Sequence, residues 1–288
     1  MPETKIDFYY FPGCSMATTA RECNQSLVRA CDLLGLRLIE LRDWNCCGTS
    51  SAHSLDPDLA LGLAARNLTL VEDDKPLLIM CPSCFRNLAG AHQKLTQDPM
   101  LARSQERKWG RPIRPDLKII TFLEILHFLE RLRRLGAAPE MDLQRSLAGL
   151  RVAAYYGCMG MFPPALRRVL PPDLLERQIK TFGAEVLLWR GRNRCCGTFL
   201  TATNPEVSTP LVNGIMQSAL DVGADCLVTA CAMCQLNLEI RCTLDRMIPT
   251  LHFSELIALV LGAQDYEGWF NRHLVDPRPL LKEKALIA

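Results

Sequence analysis

The sequence predicts an α/β protein made of two similar halves that are related by a pseudo-two-fold axis. Each half is expected to contain a small, mostly parallel sheet flanked by helices. The 288 residues suffice for about two domains, and 49% of them are hydrophobic, which allows buried cores. One series of cysteine motifs also occurs twice in the same order. We place the two domains at residues 1–140 and 141–288.

The internal repeat is defined by the cysteines and their neighbours. The first half contains Tyr9-Tyr-Phe-Pro-Gly-Cys14, Cys46-Cys47-Gly48 and Cys81-Pro-Ser-Cys84, and the second contains Tyr155-Tyr-Gly-Cys158, Cys195-Cys196-Gly197 and Cys231-Ala-Met-Cys234. The three motifs are separated from their counterparts by 144, 149 and 150 residues. Asn87 and Asn237 each follow the last motif by three residues. Self-similarity over so long a period indicates a duplicated domain.

Short apolar runs alternate with longer helical patterns in both halves. Strands are predicted at residues 6–11, 36–41, 77–80, 151–156, 184–189 and 225–229, and helices at 17–34, 57–71 and 84–95. Asp56-Pro57 and Asn204-Pro205 indicate helix starts, because each places an N-cap residue before a proline at the first helical position. The polar, basic stretch 97–118 carries the extra residues of the first half and is predicted to be a surface excursion or linker. Strand–helix alternation implies parallel βα units.

The cysteines fall where the predicted strands end. Cys14, Cys81, Cys158 and Cys231 come at or directly after a strand's end, and each Cys-Cys-Gly follows a strand by a few residues. In open α/β sheets, ligands bind in the crevice at the carboxyl ends of the strands. We therefore expect the five motif sulfurs of each half to converge on one edge of its sheet and to face one cofactor.

The number and type of the donors narrow the choice of cofactor. Fourteen cysteines in a chain without a secretory signal indicate reduced thiols that bind metal rather than disulfides. Thiolates suit zinc or iron–sulfur clusters, and both a structural zinc ion and an ordinary 4Fe–4S cubane take four ligands. Five cysteines per half, including an adjacent pair, favour an extended iron–sulfur cluster. Zinc and buried structural thiols are the alternatives. Gly48 and Gly197 suit a loop at positive φ that packs tightly on the cofactor.

The duplicated order Cys, Cys-Cys-Gly, Cys-x-x-Cys resembles the cysteine-rich CCG domains of the B-subunit family of heterodisulfide reductase, including those of sulfur-oxidising heterodisulfide-reductase-like systems. The resemblance covers nearly the whole chain, including the segment around His252-Phe-Ser-Glu-Leu256. It implies two non-cubane 4Fe–4S clusters, with catalytic roles for both adjacent cysteine pairs. The implied ligands are Cys14, Cys46, Cys47, Cys81 and Cys84 for one cluster, and Cys158, Cys195, Cys196, Cys231 and Cys234 for the other.

The resemblance also implies a function. A disulfide would be reduced, or a thiol or persulfide oxidised, between the two clusters. Electrons would pass between this chain and the flavin-bearing A subunit of the complex through its ferredoxin-like C subunit. The segment after Cys158, beginning Met159-Gly-Met-Phe-Pro-Pro, departs from the methanogen form, so a lipoate-bound carrier protein is also a candidate substrate.

A second interpretation makes the chain an electron-relay subunit of a dehydrogenase or quinone-linked complex, without a substrate of its own. The sequence contains neither Gly-x-Gly-x-x-Gly nor Gly-x-x-x-x-Gly-Lys, so in both interpretations electrons must enter from another protein. Two complete motifs favour an oxidoreductase acting on sulfur groups, because a relay needs only one cluster.

Several residues near the motifs are candidates for substrate binding. Arg190, Arg192 and Arg194 would bind an anionic substrate tail or offset the charge of a thiolate-rich cluster, or else belong to a solvated loop. His53 would supply a proton to a leaving thiolate, or make a structural hydrogen bond. Met159 would line an apolar pocket or fill a gap in the core. The remaining cysteines lack repeat partners and are expected to be core thiols: Cys23, Cys31, Cys226 and Cys242.

Charge and hydropathy exclude other classes of protein. The net charge is +2 with no clustered basic excess, which argues against nucleic-acid binding. No charged region precedes an apolar one at the start of the sequence, and the apolar stretch 256–262 is too short to span a bilayer. We expect a cytoplasmic protein without a membrane span.

Overall fold

The computed structural model describes residues 5–49, 51–134, 141–161 and 172–287. In the first half, four parallel strands form a sheet in the order β2-β1-β3-β4. These strands are β1 (Ile6–Phe11), β2 (Leu36–Glu40), β3 (Leu77–Ile79) and β4 (Ile119–Ile120). The helices are α1 (Gly13–Ala17), α2 (Arg21–Leu33), α3 (Ser51–Leu55), α4 (Pro57–Leu68), α5 (Pro82–Gln97), α6 (Pro99–Trp109) and α7 (Phe122–Arg134).

The second half repeats this arrangement, with a parallel sheet in the order β6-β5-β7-β8. Its strands are β5 (Arg151–Tyr155), β6 (Glu185–Val186), β7 (Cys226–Thr229) and β8 (Thr250–His252). Its α-helices are α8 (Leu174–Thr181), α9 (Pro205–Asp221), α10 (Ala232–Arg241), α11 (Phe253–Val260), α12 (Glu267–Phe270) and α13 (Arg278–Glu283). Short 3₁₀ helices cover Gly157–Met161 and Thr198–Leu200. The predicted α/β class, with two related parallel sheets, is confirmed.

The structure differs from the predicted elements at several positions. The predicted strand 184–189 is shortened to the two residues of β6. The edge strands β4 and β8 were not predicted. The predicted helix 17–34 is broken after α1, where the Thr18 hydroxyl donates to the Cys14 carbonyl at 2.6 Å and competes with the helical amide. The stretch 97–118, predicted to be a surface excursion or linker, contains the surface helix α6, whose N-cap Asp98 accepts from two backbone amides. The domain boundary was predicted after residue 140. It falls at the end of residues 135–140, which lie outside the described residues.

Helix packing relates the two halves reciprocally. Helix α2 packs against α11, and α7 packs against α8. Helix α2 precedes β2 in the chain, and α8 precedes β6, its counterpart. Helices α7 and α11 follow the last strand of each half, β4 and β8. Each half therefore presents the same pair of helices to its partner, as a pseudo-two-fold relation requires.

One hydrophobic cluster joins the halves, and a separate one lies on the outer face of each sheet. The joint cluster includes the fully buried side chains of Leu27, Phe122, Leu175 and Leu256, one from each of the four interface helices. Burying a side chain of this size stabilises the fold by about 1.5–3 kcal/mol. The four cysteines without repeat partners are all buried, as predicted: Cys23, Cys31, Cys226 and Cys242.

A buried ionic triad lies in the second half beside this interface. His273 Nδ1 is 3.1 Å from Glu239 of α10, and its Nε2 is 2.9 Å from Glu255 of α11. Nearby, the Cys23 thiol of α2 donates to the Gln235 side chain of α10 at 2.8 Å, which is a polar contact between the halves. Burial alone would lower the pKa of His273, but the two carboxylates outweigh it and raise the pKa to about 10. His273 is therefore charged at neutral pH.

Replacing His273 by alanine leaves two buried carboxylates without their cation. We expect the substitution to lower the free energy of unfolding by about 3–5 kcal/mol near neutral pH, measured by urea denaturation under anaerobic conditions. Because the folded-state pKa is raised, this stabilisation is complete below about pH 6.5 and is lost as the pH rises through about 10. The difference from the wild type should therefore shrink over that range.

A matched control is Arg37→Gln, which breaks the Arg37–Asp7 pair; the Arg37 side chain is 62% exposed. An exposed pair contributes at most about 1 kcal/mol. Equal losses for the two variants, or a His273→Ala loss that does not change between pH 6.5 and 10, would contradict the assignment of the triad.

Candidate metal-cluster sites

The motif cysteines gather where the order of the strands reverses. Cys14 lies in α1, directly after β1, and Cys81 is the N-cap of α5, after the neighbouring strand β3. Ligands of open α/β sheets bind at this switch point. The second half places its cysteines in the same way, with Cys158 in the 3₁₀ helix after β5 and Cys231 as the N-cap of α10 after β7. The predicted positions at the strand ends are confirmed.

Each site has a buried floor and an exposed mouth. In the first half the sulfur atoms of Cys47 and Cys84 are 3.2 Å apart, and in the second those of Cys196 and Cys234 are 3.6 Å apart. The buried members are Cys47, Cys81 and Cys84 in one half and Cys196, Cys231 and Cys234 in the other. The exposed members are Cys14 and Cys46 in one half and Cys158 and Cys195 in the other. The two halves thus distribute five thiols identically.

Contacts between neighbouring thiols shift their pKa values in opposite directions. Contact with the Cys84 thiol lowers the pKa of Cys81 to about 7, and contact with the Cys234 thiol lowers the pKa of Cys196 to about 7. The pKa of Cys46 falls to about 2, because the Cys14 and Cys47 thiols donate to it. The same contacts raise the pKa values of Cys14, Cys47, Cys84 and Cys234. Each site therefore holds thiolate at only some of its cysteines, and thiolate is the form that binds metal.

The donor set fits an iron–sulfur cluster, because such clusters are held by cysteine thiolates. Each site supplies five thiols and no other type of ligand from its motifs. Across the described ranges, no three side chains of His, Cys, Asp or Glu are arranged as the ligands of a single metal ion. Helix α1, which carries Cys14, packs against α10, which carries Cys234, so the two sites adjoin across the interface.

The glycine before the first cysteine of each half allows this crowding, and its role was not predicted from the sequence. Gly13 has φ +70°, and a Cβ there would lie 3.1 Å from the Cys84 sulfur. Gly157 has φ +55°, and a Cβ there would lie 3.3 Å from the Cys234 sulfur. The repeated Gly-Cys dipeptide in the sequence is the signal that could have revealed them.

The glycines of the Cys-Cys-Gly motifs have a different role from the one predicted. Gly48 and Gly197 have positive φ, at +81° and +72°, as expected. A Cβ on Gly48, however, would meet Leu63 and Ala52, and one on Gly197 would meet Leu211 and Ser208. These glycines therefore let the loop approach the following helices, and not the thiols.

An asparagine ties each Cys-Cys-Gly loop to the helix of the Cys-x-x-Cys motif. The Asn87 amide donates to the Cys47 carbonyl, and Asn237 donates to the Cys196 carbonyl at 2.7 Å. A buried carbonyl needs such a partner, because leaving it unpaired costs about 1–3 kcal/mol. The repeat of this asparagine in the sequence thus has a structural cause.

The structure gives His53 a hydrogen-bonding role. Its Nε2 lies 2.8 Å from Asn87 Oδ1, and in the second half the Thr201 hydroxyl donates to Asn237 in the same way. His53 therefore orients the asparagine that holds the Cys47 carbonyl. Its predicted role toward a substrate stays a prediction.

The family follows from this geometry and from comparison with known proteins. The cysteine-rich domain family, termed CCG, matches residues 8–89 and 152–239, and these ranges contain both sets of motifs. The chain belongs to this family. Its CCG domain is present twice, as the internal repeat predicted.

The relatives of the two CCG domains include subunits of reductase complexes. The chain is 28% identical to the 8-methylmenaquinol:fumarate reductase membrane anchor subunit of Wolinella succinogenes, over 95% of this chain and 99% of that protein. It is 27% identical to the B subunit of the ferredoxin:CoB-CoM heterodisulfide reductase of Methanosarcina mazei, over 88% of this chain and 85% of that protein. Identity to a protein of Archaeoglobus profundus described as like the B subunit of heterodisulfide reductase is 26%, over 89% and 91%.

One solved structure has the same fold. A hypothetical protein from Helicobacter pylori superposes with a TM-score of 0.71 at 14% identity, covering 95% of this chain and 52% of that one. The chain thus spans about half the length of that protein. Within the described part of the chain, no helix has the length and apolar character needed to cross a bilayer.

The predicted substrate residues of the second CCG domain have different surroundings. Arg192 pairs with Glu176 at 3.1 Å, donates to the Pro172 carbonyl at 2.8 Å and lies over the Tyr156 ring. Its carbonyl accepts from the Tyr156 and Gly157 amides, so Arg192 fixes the turn that leads to Cys158.

Three other predicted residues lie nearby. Arg190 and Arg194 are exposed, and the Arg194 carbonyl accepts from the Tyr155 hydroxyl at 2.7 Å. Met159 is partly buried and packs against the joint core. Part of the segment that follows Cys158, residues 162–171, lies outside the described residues.

Substituting Gly13 by alanine tests whether the first site depends on this close approach. Strain at positive φ costs about 1–2 kcal/mol, and the added Cβ also displaces the Cys84 sulfur. We expect iron and acid-labile sulfide per chain to fall after anaerobic reconstitution. Gly35→Ala is the matched control, because Gly35 has φ +73° but no atom within 4 Å of the added Cβ. Equal iron loss in both variants would mean that backbone strain alone is responsible.

Proposed function

We propose that the chain is the iron–sulfur subunit of an oxidoreductase complex of the heterodisulfide-reductase type. The observation that carries this proposal is the duplicated five-thiol site, which has the same buried and exposed members in both halves. Homology to proteins named as the B subunit of heterodisulfide reductase, or as like it, supports the proposal. In this proposal the chain reduces a disulfide, or oxidises a thiol or persulfide.

The proposed ligands are the ten motif cysteines, five to each of two non-cubane 4Fe–4S clusters. The three buried thiols of each site anchor the group within the outer core of its domain. The two exposed thiols of each site lie at its mouth, where a substrate sulfur can approach. When bound, such clusters supply electrons one at a time.

Duplication has a chemical reason under this proposal. Splitting a disulfide takes two electrons and yields two sulfur groups. Two neighbouring sites can each supply one electron and each receive one sulfur. The packing of α1 against α10 supports this arrangement, because those helices carry ligands of different sites. In each Cys-Cys-Gly motif the first cysteine is exposed and the second is buried. We assign the exposed members, Cys46 and Cys195, to the side of each site that the substrate reaches, with the buried members, Cys47 and Cys196, beneath them.

The partners are proposed from the same homology. A ferredoxin-like C subunit and a flavin-bearing A subunit would exchange electrons with the chain, and a lipoate-bound carrier protein is a candidate substrate. The fourteen free thiols fit a reducing compartment such as the cytoplasm.

A second function is favoured by one comparison. The relative from Wolinella succinogenes covers nearly the whole chain and is named as the membrane anchor subunit of a fumarate reductase. By that analogy the chain would relay electrons between a quinol and a dehydrogenase partner, without a sulfur substrate. Turnover of a disulfide by the purified complex separates the two functions, because a relay protein has no such activity.

We expect Cys46→Ala and Cys195→Ala each to lower the iron content of their own site and to abolish disulfide turnover by the complex. The reason is that each variant removes a ligand from one of two sites that act together. Iron is measured after anaerobic purification, and turnover with a reduced viologen dye as electron donor.

The control is Cys31→Ala, because Cys31 is a buried thiol of α2 that belongs to neither motif. It should retain full iron content and turnover. Full activity of either motif variant, with its site empty of iron, would contradict a mechanism that uses both clusters.

A further inference from the structure

A surface cleft of about 500 Å³ lies between α4 and α5 of the first CCG domain. Its volume is in the range of pockets that hold small molecules, roughly 300–1,000 Å³. Its lining residues are Thr49, His53, Pro57, Leu61, Arg86, Asn87, Gly90, Ala91 and Lys94. No site described above includes it, although it borders the first set of cysteines.

The second CCG domain shows why the cleft is open. Counted from the two Cys-x-x-Cys motifs, Gly90 and Ala91 correspond to Ile240 and Arg241. The Arg241 guanidinium donates to the Thr201 carbonyl at 2.6 Å and so crosses the corresponding space. One copy of the domain therefore has an arginine side chain across this space, whereas the other keeps two small residues there.

The lining of the cleft has an uncompensated positive charge. Arg86 and Lys94 are exposed basic side chains, and neither has an ion-pair partner among the described residues. None of the lining residues is acidic. The second domain has Leu236 at the position of Arg86, and α10 ends at Arg241, before it could supply a counterpart of Lys94, so these charges belong to the open copy alone.

Two lining residues connect the cleft to the first cluster site. Asn87 donates to the Cys47 carbonyl, and its Oδ1 lies 2.8 Å from His53 Nε2. Thr49 follows the Cys-Cys-Gly motif directly and donates to the Ser83 carbonyl at 3.2 Å, within the Cys-x-x-Cys motif. An occupant of the cleft is thus separated from the Cys47 backbone by a single side chain.

We propose that this cleft binds a small anionic ligand through Arg86, Lys94 and His53. The ligand carries a carboxylate, phosphate or sulfonate group, because a guanidinium and an ammonium form strong charge-assisted hydrogen bonds with such groups. The anion is either free or the charged tail of a sulfur substrate that reacts at the adjoining site. Only the second source rests on the function proposed above.

The test is isothermal titration calorimetry on the full-length, iron-loaded protein under anaerobic conditions. The probes are dithiodipropionate, the uncharged disulfide dithiodiethanol, and inorganic phosphate. We expect an anionic probe to bind with an affinity that falls as salt increases, and dithiodiethanol to bind at least about tenfold more weakly. Binding of dithiodipropionate alone identifies a substrate tail, whereas equal binding of phosphate identifies a free anion.

Two variants assign the binding to the cleft. Arg86→Gln with Lys94→Gln should weaken anion binding at least about tenfold, as expected for the loss of charge-assisted hydrogen bonds. The control, Arg107→Gln with Lys118→Gln, removes the same charge from exposed positions outside the cleft and should bind as the wild type does. Gly90→Ile with Ala91→Arg copies the filled domain and should abolish binding.

The proposal is overturned if neither anion binds the wild type, or if the Arg86 and Lys94 variant binds as tightly as its control. The exposed positions of Arg86 and Lys94 make that variant decisive even if the filled-cleft variant fails to fold. Binding does not depend on turnover. Anion binding by a protein without disulfide turnover would retain the cleft and reject the proposed enzyme, and turnover without anion binding would do the reverse.

Discussion

The structure depends on the parallel pairing of β1 with β3 and of β5 with β7. Parallel neighbours end at the same edge of the sheet, so residues that are far apart in the chain arrive at one place. This pairing brings Cys14 close to Cys81 and Cys84, and it does the same for their counterparts in the second half. The loops after β2 and β6 then supply the two Cys-Cys pairs. Asn87 and Asn237 hold these loops through hydrogen bonds to the Cys47 and Cys196 carbonyls. The chemistry of each site follows from this one constraint on strand direction.

The interface between the halves extends this constraint to a pair of sites. Reciprocal packing of α2 with α11 and of α7 with α8 fixes the relative orientation of the two sheets. The Cys23–Gln235 hydrogen bond and the His273 triad stiffen the base of α10, the helix that carries Cys234. Such contacts matter at a metal site, because residues that hydrogen-bond to the ligands or their helices set the orientation of the ligands. The two copies also differ beside their sites, because the first domain has an open, basic cleft where Arg241 crosses the corresponding space of the second.

Much of this was predictable from the sequence because the strong signals are local. Buried strands such as Leu77–Ile79 are apolar runs, and the order of the cysteines reveals the duplication. The edge strand Ile119–Ile120 was missed because two residues cannot establish a pattern. The Tyr-Tyr pairs that precede Cys14 and Cys158 do not occupy equivalent positions in the two sheets. Phe11 pairs with Ile79 in the first sheet, and Tyr155 pairs with Thr229 in the second, so Tyr155 is the counterpart of Phe11 and not of Tyr9. The repeated Gly-Cys dipeptide marks Gly13, but its close approach to Cys84 depends on a contact across the fold. The role of Arg192 depends on its pairing with Glu176, which no local pattern encodes.

The metal content of the wild-type chain after anaerobic purification decides most directly whether it holds two iron–sulfur clusters. Iron, zinc and acid-labile sulfide are quantified per chain, and the electronic spectrum is recorded with and without a disulfide substrate. Two 4Fe–4S clusters predict about eight irons with a matching amount of sulfide, and a spectrum that changes when the substrate is added. Stoichiometric zinc without sulfide, or iron sufficient for one cluster only, would contradict a two-cluster protein.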